Sequence, residues 1–224
     1  ATYYKTNDKM LAVAEEKLEM LKEDSQKMRD KDLPKHEYSP EKAKKLLDEA
    51  GWKVGSDGIR EKDGQKLAPK VYYTNVAAFP RISEAIQGDL RKIGVDWKLQ
   101  GWDSTIAPAK MGEQDYEIWS VTVPYLSAGD LMNLYFDSRN IPSPNRMNYK
   151  DAEVDEWLRL GRAAGTPAER AKYYGLVQRK VMEEHLMIPV LNVGMYLVTN
   201  RRIKGARPHM IYQNTFYKGL DYAP

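Results

Sequence analysis

Cysteine is absent from the 224 residues. That excludes a disulfide framework, a thiol nucleophile and a Cys-ligated zinc. It does not select a compartment, because exported proteins also lack cysteine. Histidine is scarce: His36, His185 and His209 are scattered, none stands four residues from another, and no H-E-x-x-H occurs, so no metal-ligand spacing is present. No apolar run approaches the roughly 20 residues of a membrane span. An excess of one charge is also missing. The 35 Lys and Arg against 32 Asp and Glu leave a net charge of +3, and the two signs are interspersed, so no basic face for nucleic acid stands out. The local cluster Arg201, Arg202, Lys204 and Arg207 reads as a solvated strand end in preference to an anion patch. No secretory leader opens the chain, which starts with Ala instead of Met, as expected of a processed or excised piece of something longer.

Nucleotide and catalytic motifs are missing as well. No G-x-G-x-x-G or G-x-x-x-x-G-K-[ST] follows a strand, and there is no G-x-S-x-G, so no cofactor is expected. "SDGIREKDG" fails as an EF-hand because Ile59 occupies a position that needs an oxygen ligand. Glu183 and Glu184 sit among basic residues on a helix and read as a solvated face. Paired acids of the glycosidase kind stay open as an alternative, although no pair is singled out.

What is present is clear punctuation. Apolar residues make up 42% and charged residues 30%, the balance of a globular chain. Asn7 to Arg29 reads as an amphipathic helix. In "YSPEKAKKLLDEAGW", Ser39 can cap a helix, Pro40 fits its first position, Glu41 suits the dipole and Gly51 stops it. Ala43, Leu46, Leu47 and Ala50 form its candidate buried stripe. Asp57-Gly58 and Asp63-Gly64 mark a hairpin; the region from Asp57 to Lys66 is expected to be a mobile surface feature with little to bury and no ligand role.

The strand "KLAPKVYYT", a helix over Arg81 to Ile93 and the strand "VDWKLQ" make a βαβ unit over about Lys66 to Gln100, with parallel strands. A short helix around Ser104 to Met111, a strand "YEIWSVTV", a short helix "GDLMNLYF" and an irregular loop "SRNIPSPNRMNY" follow. Helices are expected from Ala152 to Ala164 and from Pro167 to His185, then strands "MIPVLNV" and "MYLVTN". Trp102, Trp119, Tyr125 and Tyr135 lie in or just after strands of this α/β part. In open α/β sheets ligands sit beyond the carboxyl ends of the strands, where flat rings can stack on a small molecule. Core packing is the competing reading, preferred for Trp97 and left open for Trp119 and Tyr125.

"YSPEKAKKLLDEAGW", "DGIREKDGQKL" and "ISEAIQGDLRKIGVDWKLQ", followed by "NYKDAEVDEWL" and "VMEEHLMIPVLNVG", closely resemble the extracellular solute-binding proteins of family 5, the peptide/nickel/opine type. The resemblance covers about Tyr38 to Val198. It implies an α/β fold of the periplasmic-binding-protein type, with a mixed sheet flanked by helices. It also implies that residues 1–224 form a single domain, the C-terminal lobe of a two-lobed clamshell whose N-terminal lobe is absent. The expected protein is a non-catalytic monomer, periplasmic or on the cell surface, where a lipid anchor is possible. Its partners are an ABC permease and a small-molecule ligand.

Peptide-binding members carry an acid in a "W-x-A-D-Y" segment. Here "SVTVPYLSAGD" has none before Asp130, and a buried ammonium without its carboxylate is costly. The expected ligand is therefore an oligosaccharide in preference to a peptide. Trp119, Tyr125, Tyr135 and Trp102 would stack on it, with polar edges from Asp130, Asn145 and Arg146. "PSPNRMNY" also resembles the oligosaccharide-binding branch. A hydrolase with an unrecognised acid pair is the alternative of a different class.

Overall fold

Ser39 begins the first helix as its sequence suggests. In the computed structural model its hydroxyl accepts from Lys42 N at 3.2 Å, Pro40 takes the first turn, and α1 runs Pro40–Glu49. The structure describes residues 33–34, 36–76, 78–121, 128–190, 198–208, 215–216 and 221–222. The helix expected from Asn7 to Arg29, Tyr125 and His209 lie outside them. The chain divides into two compact units, one over Lys35–Thr122 and one taking in Val123–Pro224.

In the first unit α1 is followed by three short antiparallel strands, β1 (Lys53–Val54), β2 (Arg60–Lys62) and β3 (Gln65–Lys66). The two Asp-Gly dipeptides are their turns, with Gly58 at φ 80° and Gly64 at φ 77°. The expectation that this stretch buries little fails at Ile59 and Arg60, each 3% exposed. The apolar stripe foreseen for α1 also fails: Leu46 is 55% exposed and no α1 residue is fully buried. The reason is that α1 is tied down by polar bonds instead. Arg60 reaches Asp48 Oδ1 at 2.6 Å and Trp52 O at 2.7 Å, and Lys62 Nζ reaches Ala50 O at 2.9 Å.

The expected βαβ unit is present. β4 (Lys70–Thr74) leads through α2 (Phe79–Arg91) to β5 (Lys98–Trp102), which pairs with β4 in parallel, Val71 opposite Leu99. The second strand starts at Lys98 and not Val95, because Val95 and Asp96 form the turn out of α2, with Val95 N bonded to Leu90 O at 3.0 Å. After α3 (Ala107–Gly112), β6 (Ile118–Trp119) joins the other side of β4, also in parallel, so the sheet order is β5-β4-β6. Helices α2 and α3 both pack on β4. Val71, Tyr72, Tyr73, Ile93, Val95, Ala107 and Met111 form the core.

The second unit is helical at its centre: α4 (Ala128–Phe136), a 3₁₀ turn (Ser138–Asn140), α5 (Ala152–Ala163) and α6 (Pro167–Glu183). Asp151 caps α5 by accepting from Glu153 N and Val154 N, both at 2.9 Å. Thr166 and Glu169 close a capping box on α6, with Pro167 inside it. Phe136, Val154, Leu158, Tyr174, Val177 and Val181 fill the core between these helices. Two antiparallel pairs complete the unit, β7 (Ile203–Lys204) with β10 (Asp221–Tyr222) and β8 (Arg207–Pro208) with β9 (Thr215–Phe216). Arg201, Arg202 and Lys204 are exposed beside β7, consistent with a solvated strand end. The foreseen strands "MIPVLNV" and "MYLVTN" lie partly outside the described residues, and 187–190 and 198–200 carry no strand.

Candidate functional site

The three parallel strands end together. Thr74 and Asn75 close β4, Trp102 and Asp103 close β5, and Trp119 and Ser120 close β6. The edge is held by Asn75 N to Trp102 O at 2.8 Å and Ser120 N to Tyr72 O at 2.9 Å. Tyr72 is opposite Trp119, and Thr74 is opposite Trp102. Neighbours in register project to the same side of a pleated sheet, so both indoles belong to one face. On that face Tyr72 meets Trp102 edge-on at 5.9 Å between centroids and Tyr116 at 5.0 Å. Lys110 of α3 places its ammonium 5.2 Å from the Trp102 ring centroid, within cation–π range.

Both tryptophans are half-buried. Among the described residues, Trp102 Nε1 is the buried side-chain nitrogen or oxygen without a hydrogen-bond partner, and such orphans are rare in native structures. Val76, Ile106 and Val121, one on each loop beyond the strands, are exposed. Asp103 accepts from Thr105 N at 2.9 Å and Thr105 Oγ1 at 2.7 Å. These bonds, the backbone one foremost, hold its carboxyl below the usual value, so it is a charged acceptor and not a proton donor near neutrality. Aromatic faces, an aliphatic rim and a few polar groups suit the stacking and orientation of a small molecule. Among the described residues, no group of three or more His, Asp or Glu is placed to hold a metal ion.

The other candidate residues belong to the helical unit. Asp130 is exposed in the first turn of α4, and Arg146 is half-buried in the loop after it. Tyr135 and Asn145 are both internal. Tyr135 is part of the core, and Asn145 is 0% exposed. The Asn145 amide is already occupied: Nδ2 donates to Asp137 O at 3.2 Å and Tyr149 O at 2.8 Å, and Oδ1 accepts from Tyr149 N at 3.2 Å. Its role is to fold the loop that a run of Pro and Asn made look irregular.

Asp137, unremarked in the sequence, is the charged centre of this unit. It takes Arg139 Nε at 2.9 Å, Arg139 Nη2 at 2.6 Å and Arg162 Nη1 at 2.9 Å. The Arg139 hydrogen bonds hold its carboxyl down at about 2. Arg162 also bonds Asn133, whose Nδ2 donates to Tyr174 Oη at 2.8 Å. Every member of the network has a protein partner, which marks it as structural.

Residues 9–143 match the model of the bacterial extracellular solute-binding proteins, family 5, middle region. The chain belongs to this family. It is 29% identical over 186 residues to the oligopeptide-binding protein AppA of Bacillus subtilis (strain 168), covering 81% of this chain and 34% of that one. It is 27% identical over 175 residues to the nickel-binding periplasmic protein of Escherichia coli (strain K12), covering 75% and 33%. The solved structure of AppA in complex with a nonapeptide superposes with a TM-score of 0.59 at 29% identity, over 70% of this chain and 32% of that one. HbpA2 from Haemophilus parasuis shares the fold, with a TM-score of 0.65 at 21% identity over 88% and 38%. The chain thus spans about a third of the length of the relatives it matches, and the α/β, periplasmic-binding-protein-like class read from the sequence holds.

Proposed function

We propose that this chain is one lobe of a non-catalytic solute-binding protein that captures a small molecule outside the cytoplasmic membrane, in the periplasm or at the cell surface, and presents it to an ABC permease. The observation that carries the reading is the edge of the β5-β4-β6 sheet. Half-buried Trp102 and Trp119 flank the central strand, the buried Trp102 Nε1–H has no hydrogen-bond partner, and Val76, Ile106 and Val121 are exposed on the loops beyond the strands. Such an edge suits binding and orienting a small molecule. Closure of a second wall over the solute would complete the site.

A peptide is the solute favoured here, which reverses the preference for an oligosaccharide. That preference drew on the missing acid before Asp130 and on a stacking set with polar edges, of which Tyr135 and Asn145 are internal, with the Asn145 amide bonded to backbone. The relative with the 29% match is named for oligopeptides. A family member from Thermotoga maritima solved with mannohexaose is only 20% identical, so its sugar does not transfer. The test is mass spectrometry of what co-purifies with the full-length parent protein, followed by calorimetry with peptides, mannohexaose and nickel ion. Peptide mass and heat support the reading. Turnover of a peptide or glycoside, with no stable complex, replaces it with a hydrolase.

A further inference from the structure

Two Asp-Gly dipeptides connect the first three strands, Asp57-Gly58 between β1 and β2 and Asp63-Gly64 between β2 and β3. By residue type they are equals. Both are exposed, and both glycines have positive φ. Their bonding separates them. The Asp57 carboxylate is engaged on both oxygens: Oδ1 accepts from Ile59 N at 3.1 Å, and Oδ2 is bonded to Lys66 Nζ. These bonds, that of Lys66 foremost, lower its carboxyl below the usual value. It therefore stays a carboxylate, which is a poor target for a nucleophile. Gly58 N is engaged as well, donating to Gly55 O at 3.0 Å. The second dipeptide has none of these ties. Among the described residues, no hydrogen bond is made to the Asp63 carboxylate or by Gly64 N. Asp63 itself is left-handed, at φ 50°, a conformation that Asp tolerates but does not prefer.

We infer that Asp63-Gly64 is a self-modification site, where the chain isomerises through a succinimide to isoaspartate with water as the only co-reactant, while the fold protects Asp57-Gly58. The Gly64 nitrogen attacks Cγ of the protonated Asp63 carboxyl. A five-membered ring closes, and the amide hydrogen and the carboxyl OH leave together as one water. A second water then opens the ring, its OH going to a carbonyl carbon and its hydrogen to the nitrogen. Opening at Cγ returns aspartate. Opening at the Asp63 backbone carbonyl leaves the chain running through Cγ, one methylene longer, with the former main-chain carbonyl as a free carboxyl group. Nothing is oxidised or reduced, and the mass is unchanged. The attack is intramolecular and gains from proximity. Glycine at 64 has no Cβ to hinder it and turns freely. The added methylene falls in the turn that sets Lys62 opposite Gln65, so the product loosens the β2–β3 pairing and leaves the β5-β4-β6 edge unaltered.

The experiment ages the 224-residue chain for weeks in ¹⁸O water at neutral pH, one portion folded and one unfolded in urea. Peptide mapping by mass spectrometry, with electron-transfer fragmentation, reads ¹⁸O uptake and isoaspartate separately at residues 57 and 63. In the folded chain both should accumulate at Asp63 at least about tenfold faster than at Asp57, because two hydrogen bonds must break before the Asp57 carboxyl can react. In urea the two sites should react at similar rates. Lys66→Gln, which releases one Asp57 oxygen, should speed Asp57 about threefold and leave Asp63 unchanged. Gly64→Ala should slow Asp63, since the new Cβ stands beside the attacking nitrogen. Asp63→Asn closes the same ring with ammonia as the leaving group, so it tests the route even if G64A does not fold, and it should react faster than the parent chain. Equal rates at the two sites in the folded chain, faster reaction at Asp57, or silence at Asp63 where the unfolded chain reacts would each overturn the assignment. So would an N63 side chain that persists in the folded D63N chain while the same variant in urea loses ammonia.

Discussion

Arg60 Nη1 lies 2.6 Å from Asp48 Oδ1, yet the two partners are in different solvents: the arginine side chain is 3% exposed and the carboxylate 54%. The bond to Arg60 lowers the carboxyl of Asp48. The guanidinium is the inner residue because it also serves the backbone, with Nε on Ile93 O at 2.8 Å and Nη1 on Trp52 O at 2.7 Å. It therefore gathers α1, the hairpin strands and the end of α2 onto one side chain. The two halves of the pair should behave differently on mutation. Arg60→Ala orphans buried carbonyls and removes the packing of its stem, and should cost about 3 kcal/mol. Asp48→Asn leaves the carbonyl bonds intact and should change stability little. Urea unfolding of both variants checks this, and equal losses would refute the inner-arginine account.

The Asp-Gly turns around Ile59 separate backbone cost from packing cost. Gly58 and Gly64 have positive φ, and a Cβ at either would meet nothing within 4 Å. Alanine there is penalised by conformation alone, about 1 kcal/mol each. Ile59, 3% exposed, should cost about 3 kcal/mol as alanine, through lost burial and the cavity left behind. All three variants should leave solute affinity unchanged, because the hairpin contributes nothing to the strand edge. A thermal melt and a titration on each variant provide the readout.

Asp137 predicts an acid limb for the helical unit. Its carboxyl is held down at about 2 from 3.8, foremost by the Arg139 hydrogen bonds. A folded value below the unfolded one means the stabilisation is fully present above about pH 4 and is lost as pH falls toward 2. The amount involved is about 2 kcal/mol, a ceiling because Arg139 itself is largely exposed. Asp137→Asn should lower stability at pH 7 and flatten its dependence between pH 4 and 2. A D137N chain that still lost stability as steeply over that window would assign the acid sensitivity to other carboxylates.

The local grammar of the fold was legible before its polar interior was. Ser39-Pro40 is a cap signal, and the helix it opens, like those expected from Ala152 and from Pro167, begins where the sequence places it. The 3.6-residue period over Arg81 to Ile93 and the alternation of Val95, Trp97 and Leu99 after it located the βαβ unit. Burial was less legible. Leu46 sits at a core period yet faces solvent, while Arg60 and Asn145, polar by type, are internal. Their inward placement depends on carbonyls far along the chain, Ile93 for Arg60 and Asp137 for Asn145, and no local pattern encodes such distant partners. At the candidate site the tryptophans were visible as aromatic residues at strand ends. Tyr72 was not, because only the register of β4 against β5 and β6 shows what lies beside it.

The last prediction concerns this chain on its own. A small solute in a closed site buries most of its surface against protein. If the chain supplies one wall, as its span of about a third of its relatives suggests, about half of that burial and the polar groups of the opposite wall are missing. Micromolar affinity corresponds to about 8 kcal/mol, so a halved interaction leaves about 4 kcal/mol, near millimolar. The entropy lost on association does not halve with the contact area, which pushes the value weaker still. The isolated chain should therefore fold, melt cooperatively and bind trialanine only in the millimolar range, while the full-length parent binds its solute at least a hundredfold more tightly. Calorimetry on the two proteins side by side measures the ratio. Micromolar binding by the 224 residues alone would show that one wall is the whole site, and the two-lobed reading would have to be abandoned.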